Sequence, residues 1–279
     1  MNIGLIGAGK VGFSFGKYLT EHQKCVTGYY SRHLSSAKEA ALFTATHPYE
    51  TIDALVRDSD VILIAVPDDE IVPVWETIKD LPIRDKLICH FSGAHSSAVF
   101  SDIGRTHAFG YSIHPLFACH DKYTSYKELS AVHFTIEGQP DTIGRILSVL
   151  EGLKNPIHII SPENKIRYHA ACAIASNLVV GLSALSESIL GECGFSAEDA
   201  HLSLAPLIRN NAANIADKSP SEALTGPIER NDTQTIAAHL DAFVGDRKNL
   251  YRLLSKEVLK VARKKHPETD YRIMEEILQ

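Results

Sequence analysis

"GLIGAGKVG" (Gly4–Gly12) decides the fold. The apolar run "NIGLIGA" (Asn2–Ala8) leads into Gly7-x-Gly9-x-x-Gly12, and a helical pattern follows over Val11–Glu21. Glycines at this spacing carry meaning only when a strand precedes them and a helix follows, which is the context here. Gly7 permits the tight turn, Gly9 lets the backbone approach a pyrophosphate, and Gly12 lets helix and strand pack closely. The helix start, with Lys10 and Val11, offers unpaired N–H groups and partial positive charge to phosphates. The expected contacts of a bound dinucleotide are therefore Gly7, Gly9, Lys10, Val11 and Gly12.

Working outward, apolar runs alternate with helical stretches. "CVTGYY" (Cys25–Tyr30), "DVILIAVP" (Asp60–Pro67), "KLICHFS" (Lys86–Ser92), "YSIHP" (Tyr111–Pro115) and "AVHFTIEG" (Ala131–Gly138) read as strands. Ser35–Phe43 and Glu70–Lys79 read as helices between them. Strands alternating with helices imply parallel βαβ units with helices on both faces of a sheet. After "NPIHIIS" (Asn155–Ser161) the text turns helical to its end. Glu163 to about Leu190 reads as one long helix, Ser196 with Asp199 resembles a capping box, and Pro206 predicts a kink or a helix start. The expected fold is α/β, a parallel dinucleotide-binding sheet over 1–160, with a second, all-α domain over 161–279 for substrate and dimerisation.

The end of the second strand names the dinucleotide. A carboxylate there would bond the adenosine ribose of NAD. "GYYSRH" (Gly28–His33) instead places Ser31 and Arg32, a hydroxyl and a cationic fork suited to a 2′-phosphate. The expected cofactor is NADP(H). Val66 and Pro67 end the "DVILIAVP" strand at the sheet's carboxyl edge, where open α/β folds bind ligand, and are expected to touch the nicotinamide half.

Composition excludes other classes. The 279 residues are 44% hydrophobic and 22% charged, with a formal net charge of −6. That balance argues against a nucleic-acid partner, and "RKKH" (Arg263–His266) reads as the last turn of a helix. No run of consecutive apolar residues is long enough to predict a membrane span. Five scattered cysteines without CxxC, and an N-terminus without a signal-peptide pattern, suit a cytoplasmic protein. "HPLFACH" (His114–His120) matches no zinc spacing, so no metal is expected.

"GLIGAGKVG", "DVILIAVPDDEI", "HFSGAHS", "SIHPLFA", "KIRYHAACAIASN" and "LTGPIERND" together resemble one family over nearly the whole chain. Its members pair a Rossmann-like NADP domain with a helical domain long labelled as of unknown function. They belong to the wider 6-phosphogluconate dehydrogenase-like group, with ketopantoate reductase and pyrroline-5-carboxylate reductase. The resemblance implies an NADP-dependent oxidoreductase and, with the burial needs of the helical half, a homodimer. Two departures stand out. Arg230-Asn231-Asp232 replaces the family's Arg-Gly-Asp turn, and His169 stands where relatives often carry a lysine.

Reduction of a ketone needs a proton donor and fixed hydrogen-bond donors at the oxygen. "KIRYHAACAIASN" places Lys165, His169 and Ser176 at helical spacing on one face, with Asn177 beside them. His169 is the candidate acid, Asn177 an orienting donor, and Lys165 the rival acid or carboxylate binder. Thr225, Arg230, Ser92 and Ser176 are candidate substrate contacts, and His114 reads as structural. The substrate expected is a small 2-oxo acid, ketopantoate being the best single choice. Reduction of a cyclic imine and a non-catalytic NADP-sensing role stand as alternatives.

Overall fold

The computed structural model describes residues 1–279. They form two compact units, Met1–Leu178 and Val179–Gln279. The first is built on eight strands: β1 (Ile3–Ile6), β2 (Val26–Tyr30), β3 (His47–Tyr49), β4 (Val61–Ile64), β5 (Leu87–His90), β6 (Phe109–Pro115), β7 (Phe134–Gly138) and β8 (Ile157–Ile159). Between them lie helices α1 (Lys10–Glu21), α2 (Leu34–Thr44), α3 (Ile52–Asp58), α4 (Ile71–Ile78), α5 (Ile103–Thr106) and α6 (Ile143–Leu150), and α7 (Lys165–Ala175) follows the last strand.

The strands lie in the order β3-β2-β1-β4-β5-β6-β7-β8. The expected parallel sheet needs one correction: β7 runs antiparallel to β6. Parallel neighbours need a crossover, usually helical. The link between β6 and β7 holds only two short 3₁₀ turns, Ser125–Lys127 and Leu129–Ala131, so the chain returns without crossing a face.

Both faces of the sheet are covered, which explains the unbroken apolar strands. Val61, Leu63, Leu87 and Cys89 pack in the core on one face, and Ile62, Ile64 and Ile88 in the core on the other. Chain order reverses at β1, flanked by β2 and β4. The crevice at its carboxyl end is where such sheets take ligands.

The second unit is all helical. It holds most of α8 (Asn177–Glu192), then α9 (Ala197–Asp217), α10 (Pro220–Ala223), α11 (Thr233–Ala242), α12 (Gly245–Lys265) and α13 (Arg272–Ile277). Its core is Ile228, Ile236, Leu240, Leu259, Ala262, Tyr271, Met274 and Leu278.

Three sequence expectations change here. The division falls after Leu178 rather than at 160, because α7 belongs with the sheet: Lys165 at its start is buried there. The long helix breaks at Ser176 (φ −125°, ψ −80°), whose hydroxyl bonds back to the Cys172 carbonyl at 2.7 Å. Pro206 lies inside α9, which removes the helix-start alternative. The flanking turn is exposed, so the carbonyl the ring leaves unpaired faces water.

At Ser196 only half of the expected capping box forms, its hydroxyl accepting from the Asp199 amide. The complete box is Ser219–Glu222 at α10. The stretch Pro162–Glu192 is, by length and composition, apolar enough to cross a membrane, which the count of consecutive apolar residues did not show.

Candidate functional site

The glycine turn between β1 and α1 is pulled tight by its neighbours. The Gly7 amide bonds the Tyr30 carbonyl at the end of β2, and the Ala65 amide after β4 bonds the Ile6 carbonyl. Gly7 has φ +107°, and a Cβ there would come 2.4 Å from the Ala65 carbonyl oxygen, so only glycine fits. A Cβ on Gly12 would fall 2.3 Å from the Gly7 oxygen, which marks the close packing of α1 on the strand.

Gly9 is the opposite case: a Cβ would meet nothing within 4 Å. No side chain caps α1 at Gly9 and no acid occupies its first turn. Open space above uncapped helix amides fits a pyrophosphate.

A crevice of about 180 Å³ adjoins this turn. Gly7, Gly9, Ser31, Arg32, His33, Val66 and Pro67 line it, so most of the predicted dinucleotide contacts converge. Lys10 and Val11 lie in the first turn of α1 outside that lining. One residue was missed: Glu70, in the turn after β4, pairs its carboxylate with the Arg32 guanidinium at 2.8 Å. "VPDDEI" displayed the acid, but its reach towards β2 depends on strand order.

A second cluster lies at the same carboxyl edge, beyond β5 and β6. The Ser92 hydroxyl donates to Asp68 (2.8 Å) and accepts from the Ala94 and His95 amides (3.1 and 3.0 Å). It is fully engaged in holding its own loop. The buried Glu137 on β7 grips the same loop through the Ser97 amide and hydroxyl. His90 completes the frame: its Nδ1 accepts from the Ser92 amide and its Nε2–H donates to the Ser96 carbonyl. Burial lowers the His90 pKa to about 4, so the ring is neutral.

Lys165 is 1% exposed, not the exposed first-turn lysine its position suggests. Its Nζ donates to the Ser112 hydroxyl at 2.6 Å, and Ser112 passes a bond to the Ser92 carbonyl at 3.2 Å. It has no carboxylate within ion-pair distance. Burial pulls its pKa down to about 8, while the charges of Glu137 and Asp68 oppose that shift.

His114 lies two residues along β6 from Ser112. The Tyr168 hydroxyl on α7 stands 2.6 Å from His114 Nδ1. Burial raises the Tyr168 phenol pKa, so it keeps its proton. Burial, then the Lys165 charge, lowers His114 to about 4. With that hydroxyl taken as the donor, the proton of the neutral ring is assigned to Nε2. That nitrogen faces Gly93, where a Cβ would lie 2.9 Å from it and 2.7 Å from His169 Cδ2. His114, read from the sequence as structural, thus lines the cleft beside Gly93 and His169.

A cleft of about 390 Å³ gathers His114, His169, Cys172, Ser176 and Asn177 with Leu116 and Phe117. His169, Ser176 and Asn177 therefore converge as expected, although the break at Ser176 and not a continuous helical face brings them there. Lys165 lies outside that lining, bonded to Ser112.

In the second unit, Thr225 and Arg230 are exposed on the "LTGPIERND" turn. Asn231 takes φ +57°, the left-handed angle expected of its replacement for glycine, and its side chain bonds the Asp270 carbonyl. Asp232 caps α11 through Thr235, and Arg230 forms no ion pair.

Residues 1–115 match the Rossmann-like domain, and residues 132–258 match a domain of unknown function, DUF2520. The chain joins a Rossmann-like domain to a DUF2520 domain. No curated protein matches it by sequence. Among solved structures, protein TM1727 from Thermotoga maritima is similar at TM-score 0.75 and 24% identity, over 95% of this chain and 99% of that one. A Bacteroides fragilis protein described as an NADP oxidoreductase is similar at 0.67 and 21%, over 93% and 98%. The imine reductase from Myxococcus stipitatus in complex with NADP+ is similar at 0.57 and 16%, over the full length of both. At these identities the likeness establishes a shared fold and nothing finer.

Proposed function

We propose that this Rossmann-like DUF2520 protein is an NADPH-dependent reductase of a small 2-oxo acid, ketopantoate being the best single candidate. One observation carries the reading. The glycine turn and a cluster of neutral and cationic donors, His114, His169, Asn177 and Lys165, lie at the same carboxyl edge of one sheet.

When bound, NADPH supplies the hydride. Gly9 would leave room for the pyrophosphate and Gly7 the tight turn beneath it, Ser31 and Arg32 would receive the 2′-phosphate, and Val66 and Pro67 border the crevice on the β4 side. His169 gives a proton to the substrate oxygen as negative charge develops there. The His114 Nε2–H and the Asn177 amide hold that oxygen by hydrogen bonds and need no reorganisation to do so. The buried Lys165 charge adds positive potential favourable to both the substrate carboxylate and the oxyanion.

NADPH absorbance at 340 nm, followed with a panel of 2-oxo acids and cyclic imines, tests this. Turnover of a 2-oxo acid is the expected result. Turnover of imines alone would replace the substrate assignment, and no turnover with any of them would favour an NADP-sensing protein.

Gly93→Ala probes the cluster without replacing a donor. Its methyl would press on the rings of His169 and His114, so kcat/KM should fall about tenfold and the melting temperature by a few degrees, while NADPH affinity stays unchanged. A fall in NADPH affinity would show that the glycine serves the cofactor crevice instead.

We also propose a homodimer in the cytoplasm. Ile166, Ile174, Leu178, Val180, Leu202 and Leu207 are exposed along α7, α8 and α9, more apolar surface than an isolated monomer usually shows. Sedimentation equilibrium at twice the monomer mass of 30.7 kDa is the expected result.

A further inference from the structure

The Arg32–Glu70 pair gives the chain a ribose site of both signs. Arg32 follows β2 and Glu70 follows β4, so the two meet across the carboxyl end of β1, where the glycine turn begins. Both line the same crevice. The Glu70 amide bonds the Pro67 carbonyl in the 3₁₀ turn that aims the side chain towards β2. The Arg32 side chain is 74% exposed, so the pair contributes little to stability and either partner is free to rotate.

We infer that Glu70 is the specificity-determining acid of the adenosine site, kept from the ribose of NADH by Arg32 and freed when Arg32 is removed. This rests on the dinucleotide reading above. The sequence lacks an acid at the end of β2, and strand order supplies one from the next βα turn. With a 2′-phosphate present, Arg32 turns from the carboxylate to the phosphate, and Glu70 opposes that anion at close range. With a 2′-hydroxyl present, Glu70 can accept its hydrogen bond only if Arg32 releases it. The pair therefore favours NADPH but limits the preference, and it holds a latent NADH site.

Calorimetric titration of NADPH and NADH into the wild-type protein and into Arg32→Ala, Glu70→Gln and the double variant separates these roles without relying on turnover. Arg32→Ala should weaken NADPH more than tenfold and tighten NADH about threefold. Glu70→Gln should tighten NADPH about threefold, since Arg32 and the phosphate lose a competing anion. The double variant should lose the NADH gain. Equal NADH affinity in Arg32→Ala and the double variant would overturn the inference while leaving the dinucleotide site intact. Failure of wild-type protein to bind either dinucleotide would overturn the site itself.

Discussion

A His169→Ala variant should lose about two orders of magnitude in kcat on the proposed 2-oxo acid substrate, with NADPH affinity unchanged. The size follows from what surrounds His169. His114, the other ring against the cleft, is neutral with a pKa of about 4 and is bonded to Tyr168 through Nδ1, so at neutral pH it holds a hydrogen bond and delivers no proton. Lys165 is committed to Ser112 and lies outside the lining of the cleft. Among these three groups, only His169 is both at the cleft and free of a hydrogen-bond partner. Single-turnover mixing at saturating NADPH and varied substrate measures the effect on the chemical step. A loss confined to KM would make His169 a binding group and move proton delivery to solvent. Against a preformed iminium the same variant should lose much less, because that substrate arrives with its proton.

Local features of the site were legible and distant ones were not. The glycine turn, Ser31 and Arg32 announce themselves because their meaning depends on a few adjacent residues. The neutral–cationic cluster depends on contacts across the fold. Lys165 reads as one of three polar residues on a helix face until β6 brings Ser112, 53 residues away in sequence, to its ammonium. His114 reads as structural until Tyr168, 54 residues away, bonds its ring at the cleft. One signal was available: strand alternation puts Ser112 and His114 on the same face of β6, a polar pair in a buried strand that must find partners. Ser92 shows the converse. Its position at a strand end suggested substrate contact, yet its hydroxyl is consumed by Asp68 after β4 and by the loop that follows. The break at Ser176 left no mark in composition, since its neighbours are all compatible with helix.

Lys165→Met should change stability and activity in opposite directions, each with its own pH dependence. In the unfolded chain the lysine keeps its proton to about pH 10.4. In the folded protein burial brings the pKa to about 8. Between those values the unfolded state binds more protons, so the contribution of this residue to stability rises with pH. Below about 8 both states are charged and the burial penalty stands in full. Methionine, of similar length and uncharged, removes that penalty and should stabilise the protein by up to about 3 kcal/mol at pH 7. The advantage should vanish as pH approaches 10.5, which denaturant melts at pH 7 and 10 would reveal. Activity runs the other way. In the wild type kcat/KM should fall as pH rises through about 8, because the lost proton takes positive potential from the oxyanion site. The variant should be about a hundredfold slower at pH 7 and lack that alkaline limb. A variant that is stabilised but keeps wild-type turnover and the same limb would show that the charge is a tolerated burial with no part in the reaction. A destabilised variant would show that the bond to Ser112 outweighs the burial penalty. The sign of the stability change and the shape of the pH profile thus test separately whether the buried charge is a cost and whether the reaction uses it.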